Sequence, residues 1–557
     1  MTVLPLAGAP PAADGAAEPL APRMRWWGWG VDRDAAPLPP GAEALLRAAI
    51  DWTPRATPAV ALRDVVLPRP ALAAAVRMEL EAIVGAGHVR DDRLMRVAHA
   101  VGRSLTDLLR IRAGDGSTAP DAAVFPAGHD EVAAVLSVCA RAGVAVVPFG
   151  GGTSVVGGVE TVREGFAGAI ALDLARLDSV DIDERSLLAT LGAGLTGPQA
   201  EAALSSRGLT LGHFPQSFEF ATVGGFVATR SAGQASTGYG RIDALVRGLR
   251  MATPAGELAV APVPASAAGP SLRELLVGSE GTLGVITQAT LRVHRAPAAT
   301  RTEAWAFPSF DAGCDAFRTL EQAGAAGTIM RLSDEDESRV AFGMAGDRWG
   351  RAYLRLRGQR RPCLDIVAHE GAAREVRLRS LRALRTLRGA GAVYLGTRGG
   401  EAWRRGRFAG PYLRDALLDR GVLVETLETA TTWSGLADLR AAVRAALHEV
   451  LREARTPPVV ACHVSHVYPT GASLYFTVVA RQDPGRALEQ WRAAKRAASE
   501  AIVAHSATIT HHHAVGRDHA PWLHHETGAL GLEALRALKA TVDPAGIMNP
   551  GKLLPAA

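Results

Sequence analysis

The sequence predicts an α+β protein of two or three domains, and three observations carry that expectation. At 557 residues and 48% hydrophobic content, the chain is too long for one core and apolar enough for several. A Val-rich run from Val144 ends in Gly150, Gly151 and Gly152, which reads as a strand delivering a glycine nest. From about residue 300 the composition changes to Arg- and Ala-rich helical stretches separated by strands, the pattern of a second domain covering the first.

The formal charge of +5 comes almost wholly from Arg, since Lys is nearly absent. No basic run is interleaved with aromatics, so nucleic acid is not the expected partner; the Arg excess suits an anionic small molecule or membrane headgroups. Cys139, Cys314, Cys363 and Cys462 are scattered and form no CxxC pair, which predicts a reduced, cytoplasmic setting without a disulfide framework or a cysteine zinc site. The first 22 residues are Ala- and Pro-rich without Lys or Arg and read as a flexible tail. No apolar run approaches the roughly 20 residues that cross a bilayer, so any membrane contact is expected to be peripheral.

In chain order, Trp26, Trp27 and Trp29 form an aromatic plug that packs the N-terminal segment onto a larger body. Asp92 to Arg110 follows helical spacing, with His99 as a packed histidine. Val124 and Phe125 make a short strand, and Asp130 to Ala142 a helix stopped by Gly143. After the nest, Ala169 to Leu174, Ser179 to Ile182 and Leu187 to Leu191 read as strands; Thr196 caps a helix with Pro198 in its first turn. This order fits an α+β domain and not a doubly wound parallel sheet. Residues 209 to 240 read as a long Gly- and Ser-rich loop, and 277 to 287 as a second glycine-punctuated loop. Helices are expected over Gly371 to Gly389 and Leu436 to Arg455, and a strand over Ser473 to Ala480. The end of the chain reads as a loop, a helix and a turn returning to the first domain.

Val155 and Val156 follow the glycines where a Walker loop needs Lys, which argues against a nucleoside triphosphatase. The absence of a helix directly after them argues against a Rossmann fingerprint. The nest, the 209 to 240 loop and the 277 to 287 loop together are suited to line one extended ligand.

PFGGGTS, VGGFVATRSAG and GSEGTLGVIT, together with RWWGWG, GHFPQSFEFATVGG, MRLSD, YLRD, VETLETATTW, HVSHVYPTG and HHHAVG, occur in order along the chain. On these motifs the chain resembles the vanillyl-alcohol-oxidase (PCMH-type) FAD enzymes, and within them the alkylglycerone-phosphate synthases, also called alkyldihydroxyacetonephosphate synthases. The resemblance implies an N-terminal helical segment (23–115), a two-subdomain FAD-binding domain (116–298), an α/β cap or substrate domain (299–505) and a C-terminal segment (506–557) that completes the active site. It places FAD contacts on Pro148, Phe149, Gly150, Gly151, Gly152, Thr153 and Ser154. Further contacts fall on Gln216, Ser217, Phe218, Glu219, Phe220, Ala221 and Thr222; on Thr229, Arg230, Ser231 and Ala232; and on Glu280, Gly281, Thr282, Leu283, Gly284, Val285 and Ile286. Thr153 stands where some relatives carry a flavin-linking histidine, so the FAD is expected to be non-covalent.

For chemistry, the resemblance makes Tyr468 the proton acceptor and donor, His213 an active-site histidine, Arg414 the substrate-phosphate arginine and Arg331 a further substrate arginine. A phenol is neutral near pH 7 unless cations lower its pKa, so Tyr468 needs an Arg or His neighbour; His511, His512 and His513 are the candidates. In an extended segment His511 and His513 share a face and His512 opposes them. Acid-base work is expected of this run, with no metal assigned. The implied reaction exchanges the acyl chain of acyl-dihydroxyacetone phosphate for a long-chain alcohol without net redox, in a homodimer at a membrane surface. The alternative is an FAD-linked oxidase or dehydrogenase of a 2-hydroxy acid of the lactate, glycolate or 2-hydroxyglutarate type. The tail DPAGIMNPGKLL and the residues Phe214, Gln216 and Ala514 point that way.

Overall fold

The computed structural model describes residues 20–34, 37–344 and 348–555. Residues 1–19 of the expected tail lie outside the described residues. The strand Val144–Phe149 lies at the edge of a four-stranded sheet, paired in parallel with Gly168–Asp173, which pairs in parallel with Ala122–Val124. The helix His129–Ala142 covers this sheet through Val132, Val135 and Leu136, and ends where Gly143 turns left-handed at φ 64°. A second, five-stranded antiparallel sheet runs in the order Val180–Asp183, Leu188–Gly192, Val285–Arg292, Val246–Thr253 and Gly256–Val260. The α+β reading therefore holds.

The third sheet has seven antiparallel strands ordered Val393–Gly396, Ala299–Phe307, Cys363–Gly371, Ile329–Ser333, Val459–Tyr468, Gly471–Arg481 and Val422–Thr432. Its helices Phe310–Gln322, Ala373–Gly389, Leu436–Glu453 and Ala487–Ala504 close the largest apolar cluster, which includes Trp305, Phe317, Leu387, Val443 and Trp491. Leu105 and Leu108 from the N-terminal part join the same cluster. Trp26 and Trp29 are buried, and Trp29 meets Phe220 edge-on with ring centroids 5.5 Å apart.

Three local expectations are corrected. Asp92 to Arg110 is not one helix but two, Arg93–Ala98 capped by Asp92 and Leu105–Arg112 opened by a Ser104/Asp107 capping box. The break lets Gly102 pack on the Ser154 carbonyl while Arg103 N–H donates to it at 2.6 Å. The 209 to 240 stretch holds two short helices, Val223–Ala228 and Ser236–Tyr239, the first capped by Thr222. The histidine run is bent, as described below.

The end of the chain returns to the first sheet: Val146 N–H donates to the Ile547 carbonyl and Asn549 N–H to the Val146 carbonyl, each at 2.8 Å. All four cysteines are free. Among the described residues no helix is long and apolar enough to cross a membrane.

Asp365 is fully buried opposite Trp305, and neither carboxylate oxygen finds a partner. Burial, with Glu303 adding like charge, pushes its carboxyl well above the usual range. A folded-state pKa raised above the unfolded one contributes stability that is present below about pH 4 and is lost as pH rises toward the folded value. The expected slope is up to about 1.4 kcal/mol per pH unit. Asp365→Leu should therefore raise the melting temperature, and its advantage should grow from pH 5 to pH 8; a pH-independent difference in thermal melts would contradict this.

Candidate active site

The nest follows directly from the local sequence. The strand ends at Phe149, and Gly150 and Gly151 then pass so close to Thr222 Oγ1 and the Phe220 carbonyl that neither position has room for a Cβ. Gly152 is left-handed at φ 64°. Among the described residues, the backbone N–H groups of Gly150, Gly151, Gly152, Thr153 and Ser154 find no acceptor in the protein. Five successive unpaired donors on a half-buried loop fit the oxygens of a diphosphate.

The other predicted cofactor segments gather around it. Glu280, itself left-handed at φ 52°, accepts from Val515 N–H (2.8 Å) and Gly516 N–H (2.7 Å). Burial outweighs these bonds and pushes its carboxyl up to about 7. Asn549 Nδ2 donates to the Glu280 carbonyl at 2.7 Å and the Gly158 carbonyl at 3.1 Å. Lys552 is buried and donates to the Glu160 carbonyl. The NPGK tail thus joins the nest, the glycine loop and the segment after the histidines. The Arg230 side chain points to the Val277 and Glu274 carbonyls. Phe218 stacks on Phe408 at 5.5 Å, and Tyr412 donates to Glu219 at 3.4 Å.

Around Tyr468, the last residue of its strand, several titratable groups converge. Its hydroxyl lies 2.6 Å from His511 Nε2, and His511 Nδ1 lies 3.0 Å from His512 Nδ1. The three histidines do not alternate as an extended segment would. Glu428, fully buried on the strand Val422–Thr432, accepts from Thr510 Oγ1 (2.7 Å) and from the backbone N–H groups of His511 (2.7 Å), His512 (3.0 Å) and His513 (2.9 Å). The run wraps this carboxylate, and the rings converge instead of alternating.

Burial pushes the carboxyl of Glu428 upward, but His512, His513 and His511 with the Thr510 hydroxyl hold it well below the usual range. Burial drives His511 and His512 toward the neutral form, and takes His513 down to about 3. Burial also pushes the Tyr468 phenol up to about 12, opposed by the Arg241 guanidinium beside it. Arg241 is held by the Arg230 carbonyl (3.1 Å) and Asp243 (3.3 Å). His466, two residues before Tyr468, stacks on His511 at 4.9 Å and pairs its Nδ1 with Ser236 Oγ at 2.6 Å.

The remaining predicted residues sit at different distances from this centre. Arg331 donates to His463 Nε2 at 2.9 Å and pairs with Glu337 at 2.6 Å. His463 stacks on Tyr475, which stacks in turn on His512, so Arg331 connects to the centre through rings. His213 is buried with Nε2 on Ser231 Oγ at 2.7 Å, and burial followed by the Arg241 charge takes it down to about 3. Arg414 is buried on the helix Gly410–Leu418, where Nη1 donates to the Arg103 carbonyl at 2.7 Å; Nε lies 3.8 Å from Asp415 Oδ1, and neither Nε nor Nη2 makes a hydrogen bond. No direct contact joins Arg414 or His213 to Tyr468 among the described residues.

Glu428, Arg241, His466, His463 and Tyr475 went unread in the sequence. An acid inside the apolar VETLETATT strand and a histidine on the same strand face as Tyr468 were the available signals. Arg241, the extended residue before the short helix Ile242–Leu245, had none.

Residues 120–261 match the FAD binding domain family, and residues 296–553 the C-terminal domain of FAD linked oxidases. The alkyldihydroxyacetonephosphate synthase of Dictyostelium discoideum is 32% identical over 90% of this chain and 84% of its own length. That of Trypanosoma brucei brucei is 33% identical over 88% of this chain and 82% of its own. A solved structure of an alkyldihydroxyacetonephosphate synthase superposes with a TM-score of 0.83 at 28% identity, covering 95% of this chain and 98% of the other.

Proposed function

The chain belongs to the alkyldihydroxyacetonephosphate synthase family, is an FAD-dependent enzyme of that kind, and from this premise we propose how its own residues perform the exchange. The substrates are acyl-dihydroxyacetone phosphate and a long-chain alcohol. The bond from C1 to the fatty carboxylate breaks, a bond from C1 to the alcohol oxygen forms, and the alcohol proton is released with the fatty acid. No electrons are gained or lost overall.

The nest and the segments 216–222, 229–232 and 280–286 would hold FAD without a covalent link, and its conjugated ring would supply an electron sink at C1. Tyr468 takes a proton from C1 and later returns one. Its own proton passes to His511 Nε2, and His511 Nδ1 shares its proton with His512 Nδ1 above the Glu428 carboxylate. Arg241 favours the phenolate. Arg414, with two donors free of hydrogen bonds, pairs with the substrate phosphate, and Arg331 orients the site through His463 and Tyr475.

The 2.6 Å contact between Tyr468 and His511 over a buried carboxylate is the observation that carries this reading. Holoenzyme given acyl-dihydroxyacetone phosphate and hexadecanol is expected to form the ether product with no electron acceptor present. Anaerobic bleaching of the flavin by a 2-hydroxy acid, without ether product, would move the assignment to the oxidase. The NPGK tail, which favoured that alternative in the sequence, serves to join the cofactor loops and does not bear on the reaction.

Arg241→Gln leaves the phenol its burial without the opposing cation. The rising limb of the pH-rate profile should move to higher pH, and turnover at pH 7 should fall by about tenfold, as for a shift of one pKa unit. An unmoved limb would take Arg241 out of the mechanism.

We assign membrane contact to the helix Ala373–Gly389, where Arg374, Arg377, Arg379, Arg382, Arg385 and Arg388 are exposed beside half-exposed Leu378 and Leu381. A homodimer and the division at 116–298, 299–505 and 506–557 complete the proposal.

A further inference from the structure

We propose that His466, His511 and His512 form a binding site for a divalent transition-metal ion of the zinc type. One ligand nitrogen from each of these residues lies within 4.8 Å of the other two. His511 Nδ1 and His512 Nδ1 face each other at 3.0 Å, so they share either a proton or a cation. A tetrahedral ion with N bonds of about 2.0–2.1 Å sets neighbouring nitrogens about 3.3 Å apart, close to the 3.0 Å between His511 Nδ1 and His512 Nδ1, with the His466 ring drawn in by the ion.

Two further features point the same way. A metal-bound histidine is oriented by a hydrogen bond at its other nitrogen, and here Ser236 Oγ holds His466 Nδ1 while the Tyr468 hydroxyl holds His511 Nε2, each at 2.6 Å. His466 is thereby left with Nε2 for the ion. Glu428 supplies the compensating charge: its ion-pair partners among the described residues are His512 and His513 alone. A buried carboxylate among neutral rings favours a cation.

The ion would also set the tautomer of His511. With Nδ1 bound to metal, the ring proton stays on Nε2 and donates to the Tyr468 oxygen, whereas in the ion-free protein Tyr468 donates to His511. Occupancy would therefore block passage of the Tyr468 proton to His511, so ion and proton relay exclude one another. The binding itself is independent of which substrate the enzyme takes.

The test uses the holoenzyme, stripped with a chelator, dialysed against micromolar Zn2+ and assayed for bound metal by plasma mass spectrometry. Stoichiometric retention is expected. His466→Gln should weaken binding at least tenfold, and Ser236→Ala, which removes only the orienting hydroxyl, by about tenfold. His524→Gln, in the exposed pair His524 and His525, should retain full binding. Failure of the parent to retain metal, or retention by His466→Gln and Ser236→Ala as strong as the parent's, would overturn the assignment. None of these readouts requires turnover, so they stand or fall separately from the synthase reaction.

Discussion

Replacing Tyr468 by Phe is expected to lower the rate of ether formation by about a thousandfold, the range of a lost general acid-base. The substitution removes one oxygen and keeps the ring, so packing at the end of the strand Val459–Tyr468 should survive. His511 Nε2 loses the partner it holds at 2.6 Å, but its ring remains stacked on His466 and anchored through its backbone to Glu428. Flavin absorbance and melting temperature should therefore match those of the parent while turnover collapses. A variant that turns over normally would remove Tyr468 from the chemistry.

The second large effect lies at the cofactor. Gly151→Ala adds a methyl group that overlaps the Phe220 carbonyl oxygen and lies 3.0 Å from Ala221 Cα, and both neighbours are backbone. The nest and the 216–222 segment must then separate, and the five N–H donors no longer converge. Overpacking of about 1–3 kcal/mol corresponds to about 5- to 150-fold in affinity, a lower bound here because backbone yields poorly. The variant should purify colourless or lose FAD on dialysis. Gly128→Ala, whose Cβ would meet nothing within 4 Å, is the control that should stay yellow. Equal flavin content in both variants would show that the nest tolerates a side chain.

What the sequence revealed and what it hid divide along the range of the interactions. The nest was legible because valines and three glycines in succession are a local signal, and the Thr196 cap because it satisfies its own helix. The bend of the histidine run was not, because the carboxylate that bends it comes from a strand 83 residues earlier in the chain. Gly102 likewise breaks an otherwise regular apolar spacing because Ser154 presses against it from outside the helix. The NPGK tail was visible as a motif, but its work is to bridge loops far away in sequence. Arg241 acquires meaning only once the segment around it is laid beside Tyr468.

The bond from Asn549 to the Gly158 carbonyl spans 391 residues. Synthesis from the N-terminus therefore delivers the glycine nest long before the segment that braces it. A nascent chain can fold the Val144–Phe149 sheet early, but its cofactor cleft stays open on one side until residues 547–549 have left the ribosome. The brace on this side of the cleft therefore forms only after every strand of the seven-stranded sheet has been synthesised.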